Sequence, residues 1–307
     1  MFKTETLSNN TILITGGGSG LGLSMAKKFA SLGANVAICG RTEEKLKRAT
    51  AEIREAALAD TGSEIDETKK KNTQDNERQS GSKEPKFRYY VADVRDFDRV
   101  YEMVNQVTED FGSMEGLVNN AAGNFLCASE DLSPGGFKAV VDIVLQGTFN
   151  CTHAFGNYLI GQKKTGNILN IVVTYAERTG SAFVLPSACS KAGVLTMTRS
   201  LAYEWATYGI RLNAIAPGPF PTEGAWSRLI PSKKYEKKFL EKIPMRRYGE
   251  HEELANLAVF LMSDMAEYIT GECVTIDGGE QLVAGQFNFI DQLMSRDKLK
   301  KMFKMMK

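Results

Sequence analysis

The sequence predicts an α/β fold, a doubly wound parallel sheet with helices on both faces. Three observations carry that expectation. Short β-branched runs alternate with longer segments of helical period. A glycine-rich turn joins the first strand to the first helix. No internal repeat or Pro-rich linker divides the chain, so its 307 residues, enough for one large α/β domain or two small ones, are read as a single domain.

Taken in order, TILIT (11–15) reads as the first strand, a helix runs to about Leu32, and NVAIC (35–39) is the second strand. Further strands are expected at FRYYVAD (87–93), EGLVNNA (115–121), NILNIVV (167–173), IRLNAIA (210–216) and ECVTID (272–277), with helices between them. One stretch interrupts the alternation. Residues 60–86 are almost devoid of large apolar groups and cannot offset the entropy of ordering, which predicts a mobile surface insertion. The lysines at 69–71 lie among acidic residues and read as a solvated loop. A helical tail is expected at 286–307; its basic amphipathic end, RDKLKKMFKMMK (296–307), suits a helix packed on a neighbouring surface, with membrane contact as the alternative.

Thirty-eight Lys and Arg against 37 Asp and Glu leave a formal charge of +1, so no bulk field selects nucleic acid or an anionic membrane. The five cysteines form no CxxC pair and suit reduced thiols in a cytosol. With His153 and His251 the only histidines, a histidine-rich metal site is not expected, and no metal is assigned. His153, inside a predicted helix, reads as structural. No apolar run approaches the ~20 residues that cross a bilayer, and the first strand starts too early to leave room for a signal peptide. The expectation is a soluble cytoplasmic protein.

The strongest signal lies in TILITGGGSGLGLSMAKKFASLGANVAICGR (11–41), where Gly16, Gly20 and Gly22 follow a TGxxxGxG spacing inside a complete βαβ unit. Glycines there let the backbone approach a pyrophosphate, and the following helix aims its amides and positive dipole end at the phosphates. Gly16, Gly18, Ser19, Gly20 and Leu21 are the expected cofactor-facing residues. The second strand ends in Arg41 rather than an acid. An acid would hold a ribose 2′-hydroxyl; an arginine pairs with a 2′-phosphate, which predicts NADP(H).

TGGGSGLG, NNAAG (119–123), the helical Lys191, APGP (216–219) and ITGECVTIDGG (269–279) together resemble the short-chain dehydrogenase/reductase family. The resemblance implies a Rossmann-type domain and a homotetramer. It implies further that Asp93 and Val94 flank the adenine, that the NNAAG turn lines the cofactor through Asn120 and Ala121, and that Lys191 holds the nicotinamide ribose hydroxyls.

Ligands of such sheets bind beyond the carboxyl ends of the strands. Asn124, Tyr175 and the pair Ser187/Lys191 stand there, the last two at i, i+4 on one face of a helix expected over about 187–207. The usual family chemistry reduces a carbonyl with a proton from a tyrosine four residues ahead of the lysine. Ser187 occupies that slot and is too weak an acid. Val144 stands where the family often has a relay asparagine, and Thr174 and Tyr175 replace the serine near the fifth strand's end.

NNAAGNF (119–125), TYAERTGSAFVLPSACSKAGV (174–194) and PGPFPTEGAWSRL (217–229) closely resemble the 2,4-dienoyl-CoA reductase branch, although YAERTG is one residue longer, with Arg178 the extra residue. The resemblance implies that Tyr175 is the active tyrosine and that Asn124 and Ser187 bond the substrate. It implies that Arg95, Phe125, Ser133 and Arg228 contact the acyl-CoA, and that Lys191 and Pro217, Gly218, Pro219 and Phe220 meet the cofactor. Reduction of a conjugated thioester produces a dienolate, which needs an oxyanion hole rather than an acid, so no tyrosine is required at 187. The expected activity is NADPH-dependent reduction of 2,4-dienoyl-CoA in β-oxidation of unsaturated fatty acids. A carbonyl reductase with Tyr175 as acid, and a non-catalytic NADPH-binding scaffold, remain as alternatives. Residue by residue, Tyr175 could be packing, Asn124 a turn former and Ser187 a helix cap after Pro186. SKKYEKKF (232–239) could meet the CoA phosphates or form a solvated helix face.

Overall fold

A computed structural model of the chain describes residues 2–59, 85–177, 179–222 and 233–306. Strands β1 Thr11–Thr15, β2 Asn35–Gly40, β3 Phe87–Val91, β4 Gly116–Asn119, β5 Gly166–Ile171, β6 Ile210–Pro217 and β7 Cys273–Ile276 form one sheet in the order β3-β2-β1-β4-β5-β6-β7. Every pairing is parallel. The helices are α1 Gly20–Ser31, α2 Glu43–Ala59, α3 Phe97–Phe111, α4 Pro134–Val141, α5 Gly147–Gln162, α6 Leu185–Trp205, α7 Lys233–Lys242, α8 His251–Met262 and α9 Arg296–Met305.

Strand β1 shows why the sheet is covered on both sides. All five of its residues are buried. Successive side chains of a strand point to opposite faces, so Ile12 and Ile14 join a core with Met25 and Phe29 of α1 and Leu254 and Val259 of α8. Leu13 joins the opposite core, with Met103 of α3, Phe155 of α5 and Trp205 of α6. A strand buried on both faces has no polar side to show, which is why TILIT is nearly continuous in its apolar character.

The third, fourth and fifth strands each end two residues before the expected positions, at Val91, Asn119 and Ile171. There the chain leaves the ladder for other partners. Asp96 N–H closes a turn on the Asp93 carbonyl, and the N–H groups of Asn120 and Ala121 both bond Thr15 Oγ1. These departures lie on the edge where a ligand would sit.

Helix α6 starts at Leu185 behind Val184 and ends at Trp205, followed by a 3-10 turn. Ser187 therefore lies inside the first turn and is not the helix cap. Residues 60–84 of the expected insertion lie outside the described residues. The tail forms short 3-10 turns and then α9, which buries Leu299 and leaves Met305 and Met306 exposed, as a helix docked on the protein would. All five cysteines are free. Among the described residues no helix is long and apolar enough to cross a membrane, and no cluster of His, Cys, Asp and Glu could hold a metal.

Candidate active site

The strand order reverses between β1 and β4, which opens a crevice at their carboxyl ends. The glycine turn forms one wall. Gly16 has φ +66° and donates its N–H to the Cys39 carbonyl at 2.9 Å. At Gly22 a Cβ would stand 2.5 Å from both Asn120 Nδ2 and the Gly16 carbonyl oxygen, so the site excludes any side chain. Asn120 closes this wall by donating Nδ2 to the Thr15 and Gly16 carbonyls, at 3.1 and 3.3 Å. Gly18 abuts Leu46, and Leu21 packs partly against the core. Ser19 precedes α1 in extended conformation, and its side chain makes no cap hydrogen bond. Backbone amides, a free hydroxyl and a helix N-terminus together suit a phosphate.

Arg41 emerges exposed from the end of β2 and has no hydrogen-bond partner among the described residues. Its charge reaches Asp93, whose carboxyl is held below the usual range first by Arg95 and also by Arg41. Arg95 grips Asp93 with Nη2 to Oδ2 at 2.6 Å and Nε to Oδ1 at 3.0 Å. Val94 is buried, and its carbonyl accepts from Asn150 Nδ2 at 2.9 Å.

The opposite wall is set by buried polar ties between sheet and helices. Asn119 and Asn170 are register partners, joined by an Nδ2 to Oδ1 bond of 2.9 Å; Asn119 also donates to Thr152 of α5, and Asn170 to Thr198 of α6. The loops leaving these strands are linked by Cys127 N–H to the Phe183 carbonyl at 2.9 Å. The first loop carries Asn124, whose Oδ1 accepts from the Phe125 N–H at 2.9 Å, leaving the amide nitrogen as the group it offers. The second carries Tyr175 in a single 3-10 turn, Thr174–Ala176, pinned by Gln281 Nε2 on the Thr174 carbonyl.

Tyr175 OH lies 3.2 Å from Ser187 Oγ. Burial raises the phenol above its ordinary range, and the Ser187 hydrogen bond offsets part of that. Lys191, one turn further along α6, is buried and donates to the Ile171 carbonyl; desolvation lowers its ammonium from 10.5 to about 8. Ile171 is its one hydrogen-bond partner among the described residues, so N–H capacity remains for a ligand. Val144 is buried in a π-helical turn, Asp142–Gln146, and supplies no polar side chain.

The structure thus joins Tyr175 to Ser187, with Lys191 one turn along the same helix, and links the Asn124 loop to the loop before α6 through Cys127 and Phe183, with no hydrogen bond between Asn124 and Tyr175 among the described residues. It also unites Phe125 and Ser133. A Cβ at Gly136, in the first turn of α4, would lie 3.3 Å from both Phe125 Cζ and Ser133 Oγ. Ser133 caps α4 by accepting from the Gly136 N–H at 3.1 Å. Pro217, Gly218 and Pro219 lead out of β6, but the Phe220 ring is buried against Gly249, so only its backbone can face a cofactor. Arg228 and Arg178 lie outside the described residues. Sequence reading missed Gln281, Ser24, Thr222 and His251, which act across long separations and follow no local pattern. The cradle around Gly16 and Gly22, the Ser19 hydroxyl and the buried Lys191 ammonium fit a nicotinamide dinucleotide.

A family profile described as Enoyl-(Acyl carrier protein) reductase matches residues 56–281, and one described as short chain dehydrogenase matches residues 10–79. A probable 2,4-dienoyl-CoA reductase, (2E)-enoyl-CoA-producing, of Bacillus subtilis is 42% identical over 90% of this chain and 98% of its own. The crystal structure of a short chain dehydrogenase from Bacillus anthracis is 41% identical, with TM-score 0.72, and covers 91% of this chain and 98% of its own. A protein of Agrobacterium tumefaciens crystallised with bound NADP is 27% identical, with TM-score 0.74, over 92% of this chain and 100% of its own. With its glycine cradle, its helical lysine and these relatives, the chain belongs to the short-chain dehydrogenase/reductase family of oxidoreductases, in the 2,4-dienoyl-CoA reductase branch.

Proposed function

We propose that this protein reduces a 2,4-dienoyl-CoA with NADPH, in β-oxidation of unsaturated fatty acids. Bound NADPH supplies a hydride to the far end of the conjugated acyl chain. Charge then moves through the conjugated carbons onto the thioester oxygen. Tyr175 O–H and the Asn124 amide nitrogen donate to that oxygen, while Ser187 Oγ donates to the phenol oxygen and fixes where its proton points. Lys191 holds the ribose hydroxyls of the nicotinamide nucleotide, and water delivers the final proton to carbon. Arg95, Phe125, Ser133 and Arg228 form the acyl-CoA path, and Arg41 takes the 2′-phosphate of the cofactor.

One observation carries this reading. Tyr175 is hydrogen-bonded to Ser187 at 3.2 Å and burial raises its phenol, while the Lys191 ammonium is bound to the Ile171 carbonyl. Such a phenol stays neutral and donates a hydrogen bond to developing charge, the role of an oxyanion hole. A carbonyl reductase needs the reverse, a tyrosine acidified by its lysine.

Exposed Phe97 and Phe149, grouped with Tyr101 and His153, and exposed Tyr203 and Tyr268 support assembly as a homotetramer. His153 is held by Tyr101 OH at 2.6 Å. Five free cysteines support a reducing compartment, the cytoplasm. The test is incubation with NADPH and either a 2,4-dienoyl-CoA or a 3-oxoacyl-CoA, followed at 340 nm. Absorbance should fall with the dienoyl-CoA; oxidation with the 3-oxoacyl-CoA alone would assign Tyr175 as an acid, and no oxidation with either would mean a scaffold.

A further inference from the structure

His251 is the first residue of α8, yet that helix does not need it. A reciprocal capping box of Glu250 and Glu253 already closes the N-terminus. Both nitrogens of the imidazole are instead spent on other elements. Nδ1 lies 2.8 Å from Ser24 Oγ in α1, and Nε2 lies 2.7 Å from the Pro221 carbonyl oxygen in the segment that follows β6. Ser24 Oγ in turn lies 3.1 Å from the carbonyl of Gly20, the residue that opens α1. The next residue, Thr222, stands directly over that helix start: a Cβ at Gly20 would be 3.2 Å from Thr222 Cγ2. A second tie, Gly249 N–H to the Pro219 carbonyl at 3.1 Å, fixes the same segment to the approach of α8.

We infer that His251 is a positioning residue for the cofactor, a clamp that sets the gap between the N-terminus of α1 and the Pro221–Thr222 segment where the dinucleotide pyrophosphate enters. The inference rests on the dinucleotide reading of the glycine turn. The chemistry of the ring defines the clamp. A carbonyl only accepts, so Nε2 carries a proton. In the neutral ring Nδ1 accepts from Ser24 O–H. In the imidazolium Nδ1–H donates to Ser24 Oγ, and Ser24 turns its proton to the Gly20 carbonyl. Each form keeps both ties, so the gap does not depend on which one is present. Glutamine at 251 would place an N–H donor near the position of Nε2 and keep the Pro221 tie; asparagine is too short to reach it.

The test is fluorescence titration of dinucleotide, steady-state kinetics and thermal melting for His251→Ala, His251→Asn, His251→Gln and Ser24→Ala. Loss of one clamping hydrogen bond should raise the dinucleotide Kd about tenfold in His251→Ala and His251→Asn. The turnover number at saturating cofactor should stay within about twofold, and His251→Gln should recover most of the affinity. Ser24→Ala, with a smaller change of volume, gives the same direction should His251→Ala fail to fold. The pyrophosphate is common to NADH and NADPH, so the factor should be equal for both; a missing preference for NADPH would defeat the reading of Arg41 and leave the clamp intact. An unchanged Kd in His251→Asn overturns the inference, as does equal loss of affinity, turnover and thermal stability in all three His251 variants. Wild-type protein that binds neither dinucleotide overturns it together with the cofactor reading.

Discussion

The two walls of the crevice are made of different materials. The glycine wall is largely backbone: a left-handed Gly16, the tight approach at Gly22, and the uncapped start of α1 behind Ser19. The reaction wall consists of side chains on separate elements, Tyr175 after β5, Ser187 and Lys191 on α6, and Asn124 after β4. The first wall handles a charge that is always present, that of a phosphate. In the proposed mechanism the second meets a charge that exists only during reaction, through the neutral donors Tyr175 and Asn124, while Lys191 serves the cofactor. On the proposed reading, permanent charge is met by amides and an arginine, and transient charge by the uncharged, already aimed groups Tyr175 and Asn124.

The largest effect should come from the reaction wall. Tyr175→Phe removes one donor of the proposed oxyanion hole, and turnover of dienoyl-CoA at 340 nm should fall ~10²–10³-fold while NADPH titration is unchanged. Unchanged turnover would break the contrast. On the glycine wall, Arg41→Ala removes the charge-assisted contact proposed for the 2′-phosphate. It should weaken NADPH binding by about 10–100-fold and barely alter NADH binding, as measured by titration of both. Equal affinities for the two in the wild type would remove the basis for Arg41.

Lys191 gives the most specific signal, read as a pH dependence rather than as a rate or an affinity. Its folded value of about 8 lies below the ordinary 10.5, because burial disfavours the charge. Between those values the unfolded chain binds more protons, so the contribution of Lys191 to stability rises with pH across that window. The unfolding free energy of wild type relative to Lys191→Met should therefore increase by up to about 3 kcal/mol from pH 8 to 10.5, read by urea denaturation without cofactor. A flat difference would place the ammonium in a wetter setting.

Particular elements show what could be read from the chain. The short β-branched run TILIT is a local signal, and it places β1, whose Ile12, Leu13 and Ile14 the fold then divides between two cores. The glycine turn was equally local, since its spacing states the geometry directly. The strands expected to reach 93, 121 and 173 end at Val91, Asn119 and Ile171, where the chain turns to partners outside the ladder. Ser187 as a cap after Pro186 was a reasonable local reading. It failed because α6 begins at Leu185 and the hydroxyl turns to Tyr175, twelve residues back. Phe220 packs its ring against Gly249, which leaves its backbone as the part that can face a cofactor.

By itself the sequence determined the α/β alternation, the dinucleotide turn, the arginine at the end of the second strand and the replacement of the usual acid by a serine. The first three are set by neighbours within a few residues, where backbone geometry and helical or strand period leave few choices; the serine is recognised by resemblance to the family's motif. Tertiary structure alone decided that Tyr175 meets Ser187, that Asn119 and Asn170 tie the two reacting loops to α5 and α6, and that His251 spans to Ser24 and Pro221. Hydrogen bonds are short and directional, so partners far apart in sequence are fixed only once the sheet and its helices have packed.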